Sequence, residues 1–378
     1  MTTQLPNQAD AERYQTRALP KVSRTFALTI PQLPDPLRST VSNAYLLCRI
    51  ADTIEDEASL DPENKRELHN RFVAIVDGRE PVTRFAIDLR NVLTESATSD
   101  EIELVENTER VVALTHSFPA RQREALQKCV SIMCGGMPDF QGSGHENGLA
   151  SMHDLDRYCY FVAGVVGEML TELFCDHSKD IDEHYDHLMY LAPSFGQGLQ
   201  MTNILKDIWE DMKRTMCWLP AEVFRRVGYD NNNLKHEIRS PEFVQGLRQL
   251  IRIANSHLQN ALDYTLLIPK NQAGIRRFCL WGLGFAVLTL RKINRNPVFL
   301  SSQDVKVTRD TVNRTILVTN LLVRWDSMLR TLFRQASKSL NPDPAGLGEW
   351  APDYANITQW VRPQAPVPKP AVAGELQR

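Results

Sequence analysis

Apolar residues recur at three- and four-residue spacings in nearly every segment of this chain, while alternating β-branched runs closed by Asn-Gly or Asp-Gly turns are almost absent. Such a pattern buries its apolar stripes by packing helix on helix, so the expected fold class is all-α. Breaks between helices are expected at Pro31 to Pro36, Asp61 and Pro62, Gly78 to Pro81, Gly135 to Gly148, Pro220, Pro269 and Pro297. No repeat of fixed period and no Gly/Ser-rich linker interrupts the 378 residues, which points to one helical domain. Its expected bounds are residues 16–340. The first 15 residues and the Pro-rich stretch 341–378 lack periodicity and are expected to be mobile.

Charge and cysteine usage remove several function classes. A net charge of −3 offers no basic field for gripping nucleic acid. The polar N-terminus carries no apolar run, so neither a secretory signal nor an N-terminal anchor is expected. The longest apolar stretch, from Phe278 to Leu290, is broken by glycines and is shorter than the ~20 residues a bilayer span needs, so it reads as a buried helix. Seven scattered cysteines fit reduced thiols, and a cytoplasmic location is expected.

Asp52-Thr-Ile-Glu-Asp56 places acids at i, i+3 and i+4, and Asp207-Ile-Trp-Glu-Asp211 repeats that DxxED spacing 155 residues later (52 to 207). On a helix Tyr45, Arg49, Asp52 and Asp56 share one stripe, and Asn203, Asp207, Glu210 and Asp211 form another. A single such pattern is most often a solvated helix face. Two copies on helix bodies apolar enough to be core are not. Like charges so close repel unless a cation sits among them. Hard oxygen donors in this number suit Mg²⁺, with Asp52, Glu55, Asp56, Asn203, Asp207, Glu210 and Asp211 as candidate ligands and a diphosphate completing the coordination.

Four separated blocks resemble the squalene and phytoene synthase family of head-to-head prenyltransferases: ValSerArgThrPhe (22–26), TyrLeuLeuCysArgIleAlaAspThrIleGluAsp (45–56), TyrCysTyrPheValAlaGlyValValGly (158–167) and GlnMetThrAsnIleLeuLysAspIleTrpGluAsp (200–211), followed by TrpLeuPro (218–220). The resemblance runs from about Val22 to about Leu322. It implies an isoprenoid-synthase fold in which helices surround a deep central cavity and the two acidic motifs face each other across its mouth. It also implies that two molecules of farnesyl diphosphate condense to presqualene diphosphate, with Asp52, Asp56, Asp207 and Asp211 acting through Mg²⁺. Tyr158 stands in the family's catalytic tyrosine position. By helical spacing Tyr158, Val162, Val165 and Met169 line one apolar face, and Gly164 and Gly167 allow close helix approach. Phe26, Tyr45, Val162 and Phe278 match substrate-pocket positions. Arg24, Arg49 and Lys206 match positions that contact diphosphate or cofactor phosphates.

Branches of the family differ in the fate of presqualene diphosphate. The squalene-forming branch needs NADPH, whereas the phytoene- and dehydrosqualene-forming branches lose a proton and need no reductant. No GxGxxG follows a strand, which excludes a Rossmann site. The segment ValPheLeuSerSerGlnAspValLysValThrArg (298–309) is similar to the late segment of the squalene-forming branch, with Lys306 and Arg309 placed for cofactor phosphates. The expected function is therefore reductive formation of squalene. The alternatives are a member of the reductant-free branches and a helical binding protein without chemistry. A greasy product favours peripheral membrane contact without a membrane span.

Two positions depart from the family pattern. Lys206 stands where an arginine usually precedes the second motif, keeping the charge and losing the fork. Met216 stands where another arginine is usual, with Lys213 and Arg214 as the nearby cations that could replace it. His184 and His187 are spaced like metal ligands without a third partner and read as surface residues.

Overall fold

The computed structural model describes residues 7–23, 25–141, 147–234, 239–340 and 347–352. Among these residues there is no β-strand, only an isolated bridge between Leu149 and Pro220. The main helices are α1 (Gln8–Val22), α2 (Leu37–Asp56), α3 (Ala120–Gly136), α4 (Met152–Cys159), α5 (Val165–His177), α6 (Tyr185–Lys213), α7 (Pro241–Leu267), α8 (Ala273–Arg295), α9 (Arg309–Leu322) and α10 (Asp326–Ser337). Shorter helices fill the span between α2 and α3. Their starts follow local chemistry. Asp61 caps the helix that opens with Pro62, Ser240 caps α7 ahead of Pro241, and Ser151 with Asp154 forms a capping box at α4.

The long helix α6 is the hub, packing on α5, α7 and α8. Glycine sets one crossing: a Cβ on Gly167 would lie 2.1 Å from the Ala192 carbonyl oxygen, and one on Gly196 would lie 1.9 Å from that of Ala163. The backbones therefore meet directly where α5 passes α6. One connected apolar core extends from Tyr14 to Leu347.

Two expectations change. Residues 8–15 belong to α1, because Ala11, Tyr14 and Ala18 form an i, i+3, i+7 stripe that packs into the core despite polar neighbours. A π-helical turn over Tyr160–Gly164 separates α4 from α5. Its extra residue rotates all of α5 by about 100°, so Tyr158 does not share a face with Val165 and Met169. Those two line a cavity of about 200 Å³ between α3 and α5. The apolar stretch 278–290 lies in a largely buried helix as expected, the 23-residue α8, although both α8 and the continuous Met152–His177 rod are long and apolar enough to cross a membrane. Each buries most of its apolar window inside the molecule. Arg24 and most of the 341–378 tail lie outside the described residues, although Leu347 is buried and Trp350 lies under the Arg226 guanidinium at 4.3 Å.

Candidate active site

Both acidic motifs occupy the last turns of their helices, α2 ending at Asp56 and α6 at Lys213. A helix C-terminus carries partial negative charge, so carboxylates there are destabilising unless cations answer them. Arg214 supplies one. Its Nη1 lies 3.0 Å from Asp56 Oδ1 and its Nη2 lies 2.8 Å from Asp211 Oδ1, so one guanidinium joins the two motifs. The chain reaches this geometry through Thr215, whose φ of 61° is left-handed. With Thr215 N–H donating to Met212 O and Met216 N–H to Asp211 O, both at 3.1 Å, the turn folds residue 214 back over its own helix.

Burial raises the pKa values of two acids in each motif. Asp52 is pushed up to about 6 by desolvation against the pull of Arg49, with Asp56 and Glu101 adding to the rise. Glu55 rises well above the usual carboxylate range, first through burial and then through Asp56 and Asp52. Asp207 is raised by burial against Lys206, which pairs with it at 3.1 Å. Asp211 reaches about 6 through burial, against Arg214. Carboxylates with raised pKa values are short of positive charge. Glu210 also holds a buried Oε2 with no partner. An all-oxygen donor set in this condition fits Mg²⁺. Among the described residues no three His, Cys, Asp or Glu side chains enclose a metal by themselves.

The two central glutamates are tied to neighbouring segments. Glu55 accepts from Gln141 Nε2 at 2.8 Å, and Glu210 Oε1 accepts from the Ser302 N–H at 3.0 Å. The second contact fastens the segment carrying Lys306 and Arg309 beside the second motif. Both cations are exposed there: Lys306 touches Gln303 Oε1 at 3.4 Å, and Arg309 opens α9. Asn203 is exposed on α6.

Tyr158 lies between the motifs electrostatically. Burial raises its pKa well above the ordinary phenol value, and Glu55, Asp56 and Asp211 push in the same direction. Its ring stacks on Trp218 at 3.8 Å and 9°, with Phe140 edge-on at 5.4 Å. No hydrogen-bond partner for its hydroxyl occurs among the described residues. Trp218 is held by the bridge in which Leu149 N–H donates to Leu219 O at 3.1 Å. Gly148, at φ 99°, permits that contact, since a Cβ there would sit 2.1 Å from the same oxygen.

Other expected residues separate into two groups. Phe26 and Tyr45 pack ring on ring at 5.1 Å, and Arg49 donates to the Tyr45 hydroxyl at 3.0 Å while pairing with Glu101 at 3.6 Å. The Tyr45 hydroxyl itself donates to Val22 O. Phe278 instead lies buried against Phe174, and Val162 sits half-buried in the π turn. Sequence spacing did not reveal Trp218, Gln141 or Glu101. The TrpLeuPro block was the one available signal for the first.

This architecture is an isoprenoid-synthase fold. It superposes on the solved structure of TcSQS with the ligand BPH1237 at a TM-score of 0.72 and 23% identity, over 93% of this chain and 96% of that one. The family model for squalene/phytoene synthase matches residues 19–311. Squalene synthase ERG9 of Candida albicans is 30% identical over 79% of this chain and 65% of its own length, and tomato (Solanum lycopersicum) squalene synthase is 32% identical over 72% and 62%. The chain thus spans less than two thirds of the length of these relatives. It belongs to the squalene/phytoene synthase family, a family of prenyltransferases.

Proposed function

We propose that the chain condenses two farnesyl diphosphates head to head to presqualene diphosphate and converts that intermediate reductively to squalene. The observation that carries this reading is the single Arg214 guanidinium held between carboxylates of both DxxED motifs. It marks a place where two acidic helix ends and a fixed cation converge, which is what binding of a metal-bridged diphosphate requires. Bound Mg²⁺, held by Asp52, Asp56, Asp207 and Asp211, would draw charge from the departing diphosphate, and bound NADPH would supply hydride.

The chain's own residues supply the rest. Arg214, Lys206 and Arg49 offer cations to diphosphate oxygens. Tyr158 keeps its proton because burial and the neighbouring carboxylates disfavour the phenolate, and its hydroxyl, without a partner among the described residues, can exchange a proton with a departing diphosphate. The Trp218 and Phe140 rings fix its position and present aromatic faces near developing positive charge. Lys306 and Arg309 offer cations to cofactor phosphates, anchored beside the second motif through Ser302 and Glu210. Peripheral contact with a membrane accompanies the reading, because the product is a hydrocarbon.

Incubation with farnesyl diphosphate and Mg²⁺, with and without NADPH deuterated at the transferable position, tests it by mass spectrometry. Squalene carrying one deuterium is expected with the reductant and presqualene diphosphate without it. A hydrocarbon identical in both arms would move the chain to the phytoene- or dehydrosqualene-forming branches.

A further inference from the structure

Four of the eight large apolar side chains that stand exposed among the described residues fall within twelve positions of one another: Leu317, Leu321, Trp325 and Met328. They lie on the elbow between α9 and α10. Leu321 is 69% exposed and Trp325 59%, values that ordinary partial burial does not explain. Leu317 and Leu321 share a helix face at i, i+4, and Trp325 and Met328 are exposed just beyond the end of that helix. Helix α9 buries only Thr319 fully, so most of its apolar residues face outward or sit half-covered.

The elbow is held in this attitude. Arg276, fully buried, donates to Val323 O at 2.8 Å and pairs with Asp326 at 2.7 Å, and it also donates to Leu266 O at 3.3 Å. Trp325 sits between two positions fixed from inside, so its ring is presented outward. The local charge is positive. Arg314 and Arg324 are exposed and form no ion pair among the described residues, while Asp326 is already engaged by Arg276 and Lys270.

We propose that this elbow docks on the surface of an anionic lipid bilayer. Leucine and methionine side chains would enter the boundary between headgroups and acyl chains, the indole would lie at headgroup level, and Arg314 and Arg324 would meet lipid phosphates. A second copy of the chain is the weaker fit. A stable dimer buries about 800 Å² and some 20–30 residues on each partner, and this patch is four side chains rimmed by like charge. The inference rests on the peripheral membrane contact proposed above and names its surface; its test reads binding without turnover, so failure here leaves the proposed reaction untouched.

The test uses the full chain and needs no turnover. Co-sedimentation is measured with vesicles of phosphatidylcholine alone and of an equimolar mixture with phosphatidylglycerol, at low and high salt. Binding to the mixed vesicles, weakened by salt, is expected, with little binding to the neutral ones. Joint Arg314→Gln and Arg324→Gln substitution should weaken it about tenfold or more, and Leu321→Ser with Trp325→Ser should reduce it further. Both variants should keep the wild-type helical spectrum, because every altered side chain is exposed. A Trp325→Phe variant should lose the blue shift in fluorescence that vesicles induce in the wild type. Equal sedimentation of wild type and the Leu321/Trp325 variant overturns the proposal. So does absence of wild-type binding, or a dimer in equilibrium sedimentation that the same variant dissociates.

Discussion

The two DxxED motifs have the same spacing and the same place at the end of a helix, yet they are stabilised differently. Apart from Arg214, which both motifs share, the first has its cations behind it: Arg49 one turn back, and Lys65, whose ammonium donates to the Glu55 carbonyl and, at 2.8 Å, to Gln141 Oε1. The second keeps its cations at its own edge, with Lys206 on Asp207 and Arg214 on Asp211. α2 ends in an extended residue, Glu57, whose carboxylate accepts from Thr94 N–H at 2.8 Å and from Ser59 N–H at 3.0 Å. α6 ends in a left-handed threonine. Motifs of identical spacing thus become an acidic wall tied to neighbouring backbone on one side and a charge-paired edge on the other. The difference comes from the residues after each motif.

The largest effect should come from removing a carboxylate from either motif. Asp52→Asn and Asp207→Asn are each expected to lower turnover by roughly 10²–10³-fold or more, with helical content unchanged. Their stabilities should diverge. The folded-state pKa of Asp52 is raised from 3.8 to about 6, so the unfolded chain releases that proton first. Its contribution therefore falls as pH rises from 3.8 to about 6 and stays constant above. Asp52→Asn should flatten that window and raise the melting temperature at neutral pH. Asp207→Asn also forfeits the Lys206 pair and should gain less. Equal gains in both variants would remove the distinction drawn between the motifs.

A smaller loss is expected at the bridge. Arg214→Gln removes two charge-assisted contacts that are partly exposed and screened, and should reduce kcat/KM for farnesyl diphosphate by roughly 10–100-fold. Arg214→Lys should recover only part of this, because a single ammonium cannot fork between Asp56 and Asp211. Full recovery by lysine would show that charge alone matters and that the bridge is incidental.

Much of this was legible in the sequence, for physical reasons. Helical periodicity survives any packing, so the all-α class was readable, and the duplicated acids advertised themselves because like charges rarely crowd without purpose. Three features were not. The π turn at Tyr160–Gly164 has no composition signal, and one added residue was enough to separate Val165 and Met169 from the face of Tyr158. α1 was hidden because a stripe as sparse as Ala11, Tyr14 and Ala18 sits among polar residues. Arg214 was only one of two cations near Met216, since its aim depends on a left-handed turn at a residue type that seldom adopts one.

That turn yields the smallest expected effect. A left-handed backbone costs a residue with a Cβ about 1–2 kcal/mol, and Thr215 is β-branched. Glycine removes this strain but adds unfolded-state entropy of about 0.5–1 kcal/mol, so Thr215→Gly should stabilise the protein by at most about 1.5 kcal/mol in denaturant titration. The Thr215 hydroxyl donates only to the carbonyl of Arg214, at 2.6 Å, and touches no motif acid, so turnover should stay within about twofold of wild type. If glycine instead lowers kcat/KM as far as Arg214→Gln does, the added freedom has let the guanidinium leave Asp56. The threonine would then be the element that holds the second motif's edge against the first motif's wall.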